Sequence, residues 1–166
     1  MGKKRMVVLA TAIAIAFLHV IPFAFAEDKE ITRLTLRGIK EVNVVIESIE
    51  PEVERLGLTQ AQVKADVEAK LREANIAVAP DLERGRPAVY LYVQVIRPER
   101  IERLFYSISL SLLQNVILER DPNVKTNTET WLVRMLGMSS GTEAIRSDIR
   151  SVLDQFIEDF RKANQK

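Results

Sequence analysis

Apolar and polar residues alternate with a period of two through two stretches in the middle of the chain. Val89, Leu91, Val93 and Val95 alternate with Tyr90, Tyr92 and Gln94; Tyr106, Ile108, Leu110 and Leu112 alternate with Ser107, Ser109 and Ser111. Side chains switch faces at each step along a strand, so each stretch predicts a strand with one buried and one wet face. From Leu113 to Leu118 both faces carry apolar residues, which predicts a bulge near Leu112-Leu113. Asp121-Pro122-Asn123 reads as a turn. A third strand follows over Thr126–Met135, with Trp131, Val133 and Met135 inward and Thr128 and Thr130 outward. Upstream, Glu41–Ile49 reads as another strand, with Val42, Val44 and Ile46 on one face and Asn43, Val45 and Glu47 on the other. Pro51 ends it, because proline cannot donate to a ladder.

Two stretches carry the helical period instead. Thr59 is an N-cap with Gln62 at N3, and Leu58 can staple onto Val63. Val63, Val67, Leu71 and Ala74 then form a stripe, and Asn75 suits a left-handed position after the last turn. Thr142–Asn164 is the longer helix, with Ile145, Ile149, Val152, Leu153, Phe156, Ile157 and Phe160 on one face. Around these lie an extended lead-in over Glu27–Leu36, a connector over Glu52–Leu58 and a loop over Ala79–Pro87. A charged connector spans Arg97–Arg103, and Gly137–Gly141 is a small-residue link. The order β-α-β-β-β-α predicts an α+β two-layer sandwich: a four-stranded, mostly antiparallel sheet with both helices on one face. If the first strand pairs with the Val89 strand, the helical crossover makes that pair parallel.

The N-terminus changes the picture of where this domain works. Lys3, Lys4 and Arg5 precede an apolar run from Met6 to Leu18, and Ala24-Phe25-Ala26 has the small-x-small form of a cleavage site. Residues 1–26 therefore read as a secretory signal peptide, leaving a single domain over 27–166 in the periplasm or outside the cell, with no mature transmembrane segment. Cleavage removes three basic residues and no acidic one, so the formal charge moves from +1 to −2. No basic face for nucleic acid is visible, and no nucleic-acid partner is expected. The chain has no cysteine, and its one histidine, His19, lies in the leader. The mature domain is thereby without Ser-His-Asp or Cys-His catalysis and without the usual zinc or haem ligands; no cofactor or metal is expected.

Gly57-Leu58-Thr59, the helix end Leu71-Arg72-Glu73-Ala74-Asn75-Ile76, the Val89–Val95 strand and the pair Thr130-Trp131 together resemble a family of small secreted bacterial proteins of unknown function. The resemblance covers most of residues 36–164. It implies export, a Gly-Leu-Thr helix start, a Tyr-Leu-Tyr-Val-type strand and a C-terminal amphipathic helix. It carries over no catalytic residue.

The serine row 107, 109 and 111 lacks a base, since no Ser-x-x-Lys occurs in the mature chain. Glu41, Glu47, Glu50, Asp66 and Glu68 could supply a carboxylate pair for glycoside hydrolysis or a hard-cation site, but scattered carboxylates more often serve solvation. Trp131 shares its face with Val133 and Met135 and reads as core. The Arg/Glu alternation of 97–103 reads as a solvated hairpin. Tyr90 and Tyr92 stand apart. If the helices cover the aliphatic face, Tyr90, Tyr92, Gln94, Ser107, Ser109, Ser111, Thr128 and Thr130 share a hydroxyl-rich, partly aromatic surface suited to binding. The same aromatics can also simply stabilise a sheet. The expected function is a non-enzymatic binding or accessory protein of the cell envelope. An envelope protein, a glycan or a hydrophobic ligand would be its partner, and homo-oligomers stay open to it. The alternative is a carboxylate-dependent hydrolase of envelope glycans.

Overall fold

A computed structural model describes residues 29–165; the leader and its cleavage site lie outside the described residues. The elements in order are α1 (Lys29–Leu34), β1 (Glu41–Ile46), α2 (Pro51–Arg55), α3 (Gln60–Glu73), β2 (Ala77–Val78), β3 (Ala88–Ile96), β4 (Leu104–Leu118), β5 (Asp121–Ser139) and α4 (Thr142–Asn164). The fold is α+β as the pattern predicts, but the sheet has five strands rather than four, and the described residues form four helices rather than two. The strand order is β2-β1-β3-β4-β5. β1 pairs in parallel with both β2 and β3, whereas β3-β4 and β4-β5 are antiparallel, so the sheet is mixed.

Each addition has a local cause. Pro51 does end β1, but it also sits at the start of α2, where its missing N–H costs nothing. β2 is only two residues long and holds its place by pairing Ala77 and Val78 with Glu41 and Val42. α1 replaces the expected extended lead-in. It is six residues long and is tied down by Arg33, whose Nε lies 3.1 Å from Asp159 of α4. β5 begins at Asp121 because the hairpin turns at Glu119-Arg120, two residues before the predicted turn. Pro122 is tolerated there because β5 is an edge strand.

α3 and α4 share one face of the sheet and are cross-linked by Arg146–Asp66 at 2.6 Å and Lys70–Asp154 at 2.7 Å. Between them and the sheet lies one core, built from Val42, Val44 and Ile46 of β1, Val89, Leu91, Val93 and Val95 of β3, and Ile108, Leu110 and Leu112 of β4. Leu71 and the α4 stripe close it from the other side. Phe156 is fully buried and meets Trp131 edge to face, with ring centroids 5.1 Å apart. The Trp131 indole N–H donates to Asp159 Oδ2 at 3.0 Å, which satisfies its one polar group. Thr59 accepts from the Gln62 amide at 3.3 Å, and Asn75 takes a φ of 62°, so both ends of α3 are as read. Gly137 lies directly opposite Tyr106, and a Cβ there would overlap the Tyr106 ring, which packs over the glycine backbone.

Candidate functional site: the open face of the sheet

The face turned away from α3 and α4 is where the sequence-predicted surface residues are placed. Tyr90, Tyr92 and Gln94 of β3 stand in register with Ser111, Ser109 and Ser107 of β4. Those serines stand in register with Leu132, Arg134 and Leu136 of β5. One further row completes the surface: Ile96, Phe105 and Met138. Six of the eight expected residues therefore share the open face.

Thr128 and Thr130 do not join them, which corrects the reading of β5. The ladder slips between Leu112 and Leu113: Leu112 is opposite Trp131 but Leu113 is opposite Glu129. Thr130 is the extra residue of the bulge, and the slip reverses the facing of everything before it. Thr128 consequently pairs with Gln114 instead of continuing the serine row. The Thr130 hydroxyl donates to the Leu112 carbonyl at 3.3 Å and accepts from Gln114 Nε2 at 2.7 Å. Its carbonyl accepts from the Thr35 hydroxyl at 3.2 Å, which ties it to the end of α1 on the helical side.

Ser111 is the second correction. It lies on the open face but is only 1% exposed, with its hydroxyl unpartnered. That end of the sheet is roofed by the 79–87 loop. Asn43, on the open side of β1, donates through Nδ2 to the Glu83 carbonyl at 2.9 Å and accepts from the Glu83 amide at 3.4 Å. Arg86 pins the same loop to Glu41 and Glu83 at 2.8 Å each. Gly85 comes close to Asn115 of β4. The loop thus crosses one end of the open face and leaves the other end bare.

Past the roof lies a cleft of about 600 Å³ lined by Glu47, Tyr90, Tyr92, Ser109, Glu129 and Arg134, among others. Tyr90 donates its hydroxyl to Glu47 Oε2. This hydrogen bond, then burial and the nearby carboxylate charge, pushes the Tyr90 phenol up to about 12. The tyrosine is a fixed, neutral donor and not a source of phenolate. Arg134 and Glu129 face each other at 3.8 Å, both largely solvated, and such a pair contributes little to stability. Both side chains stay open to solvent in the cleft.

From Tyr92 and Leu136 at the edge of the cleft outward, the face turns apolar. Tyr92 is 39% exposed, Ile96 57%, Phe105 38%, Leu136 84% and Met138 59%. Ile96, Phe105, Leu136 and Met138 were not among the predicted site residues. Their signal was present in the alternation of β3 and β4, which carries Ile96 and Phe105 onto the tyrosine-serine face. It was lost for Leu136 and Met138 because the last strand was read as ending at Met135. A separate cleft of about 600 Å³ lies at the charged connector, where Arg97 and Arg103 are balanced by Glu102 and Glu143. Among the described residues no three His, Cys, Asp or Glu side chains gather as a metal set, and no helix is long and apolar enough to cross a membrane.

No family model matches the chain, and no curated protein matches it. Among solved structures, the rare lipoprotein B from Shewanella oneidensis is similar at 10% identity and a TM-score of 0.31, covering 74% of this chain and 92% of that one. A minor lipoprotein from Acinetobacter baumannii is similar at 9% identity and a TM-score of 0.32, covering 75% and 92%. Both likenesses are too distant to carry a function across.

Proposed function

We propose that this chain is a non-enzymatic binding or accessory protein of the cell envelope and that it engages its partner through the open face of the sheet. One observation carries the reading. The helices cover one face only, and the other presents adjoining rows of exposed apolar and aromatic side chains next to a polar cleft. Contiguous exposed apolar surface rimmed by polar groups marks interaction sites in soluble proteins. Tyrosine suits such a surface because its ring covers apolar area while its hydroxyl stays hydrogen-bonded. The secretory leader read in residues 1–26 supports the envelope as the place of action. An envelope protein, a glycan or a hydrophobic ligand each fits a surface that is polar at Glu47, Glu129 and Arg134 and apolar at Ile96, Phe105 and Met138.

The test is capture from an envelope fraction with the wild type and with a Tyr90→Ser/Tyr92→Ser double variant, followed by mass spectrometry of bound protein, glycan and lipid. The variant is expected to fold, since neither ring lies in the core, and to lose the partner. A folded double variant that retains every partner of the wild type contradicts the reading. A carboxylate-dependent hydrolase is the competing function, favoured by the presence of Glu47 and Glu129 in one cleft. Glycan cleavage by the wild type that disappears in Glu47→Gln would establish it instead.

A further inference from the structure

The sheet ends at β5, and no described strand pairs with its outer edge. The segment at the end of α1 meets β5 beside the bulge, with the Thr35 hydroxyl donating to the Thr130 carbonyl. Past it, no described strand pairs with the outer edge of Leu132–Ser139 before the chain turns into α4. Natural edge strands are blunted by charges, proline, bulges or a covering element. Here the only charged residue in the free stretch is Arg134.

The layers are unfinished on both sides of this strand. Val133 and Met135 face the core yet are only partly buried. Leu136 and Met138, on the opposite face, are exposed. A ligand in the open-face cleft would cover one side only; an added strand covers both. We propose that β5 pairs antiparallel with β5 of a second copy, centred on Leu136, and so doubles the five-stranded sheet across a two-fold axis.

A second copy fits for three reasons. A two-fold interface needs a self-complementary surface, and an edge paired about its own midpoint is one. Leu136 lies near the middle of the free length Leu132–Ser139 and is 84% exposed. Centring there sets Leu136 beside Leu136 of the second copy and Arg134 beside its Met138. Centring on Arg134 would instead place like charges directly opposite, which is destabilising. Finally, the Ile96-Phe105-Met138 row stops at this edge and would run on across the axis, while Val133 and Met135 of each copy would extend the inner layer of the other.

The chain has no cysteine, so Leu136→Cys introduces a single thiol. Under mild oxidation this variant is expected to convert to a disulfide-linked dimer, whereas Ile117→Cys, also exposed but on the hairpin arm, stays monomeric. In sedimentation velocity over a concentration series, the wild type should shift from monomer to dimer. Leu136→Lys should remain monomeric with an unchanged unfolding midpoint. Tyr90→Ser/Tyr92→Ser should still dimerise, which separates this edge from the open-face reading. A wild type that is monomeric at every concentration overturns the proposal, and so does a Leu136→Lys variant that dimerises as the wild type does.

Discussion

Tyr106 shows how much a single side chain settles in this fold. Its ring covers Gly137 across the β4-β5 ladder, and its hydroxyl donates to Asp148 Oδ2 of α4 at 2.5 Å. Burial, followed by that hydrogen bond and the Asp148 charge, pushes the phenol up to about 12. An unfolded chain gives up the same proton near pH ~10. Between these values the unfolded state binds fewer protons than the folded one, so stability falls as pH rises. The contribution is intact below pH ~10 and lost once pH has passed about 12. Tyr106→Phe should therefore flatten the loss of stability across that alkaline window, read as the unfolding midpoint against pH, while costing about 1.5–3 kcal/mol at neutral pH for the missing bond to a charged acceptor. An unchanged alkaline slope would mean that Tyr106 does not hold its proton in the folded state. The alternation placed Tyr106 on the buried face correctly. Its partners Asp148 and Gly137 lie 42 and 31 positions away, and no local pattern connects them.

Among the elements, α4 was the most legible. Seven apolar residues at helical spacing set its bounds at Thr142–Asn164, and the stripe is buried along most of its length. Phe156→Ala should destabilise the protein by about 3–5 kcal/mol, the usual range for a buried phenylalanine, and the measurement is the denaturant midpoint. A negligible change would mean that α4 does not close the core. α1 and α2 were illegible for the opposite reason. At six and five residues they carry too little periodicity, and isolated segments of that length have no helical stability of their own. Tertiary contacts, such as Arg33 with Asp159, hold them. β5 was underread at both ends. Its first five residues, Asp121–Lys125, hold a turn sequence with Val124 as the one apolar strand former, and they join the strand through the hairpin with β4 and not through a pattern of their own. The irregularity near Leu112-Leu113 was legible, but its extra residue is Thr130 on β5, and that is what moves Thr128 and Thr130 off the expected surface.

At the scale of the whole molecule, the one-sided helical layer is the feature from which function follows. Period-two patterning foretold a covered face and an open one, and it placed Tyr90, Tyr92, Gln94, Ser107 and Ser109 together. It could not foretell that the 79–87 loop roofs one end, because that contact runs through Asn43 and Glu83, which are 40 positions apart. Nor could it show that the bare end is apolar, since two of the four residues that make it so lie on a stretch of β5 with no strand signal of its own. Function, on this reading, rests on the bare face meeting the partner. The most direct measurement is site-specific photo-crosslinking in the native envelope, with the reactive group at Gln94 on the open face and, separately, at Arg150 on the solvent side of α4. A discrete adduct is expected from Gln94 and none from Arg150. An adduct from Arg150 with none from Gln94 would contradict that reading.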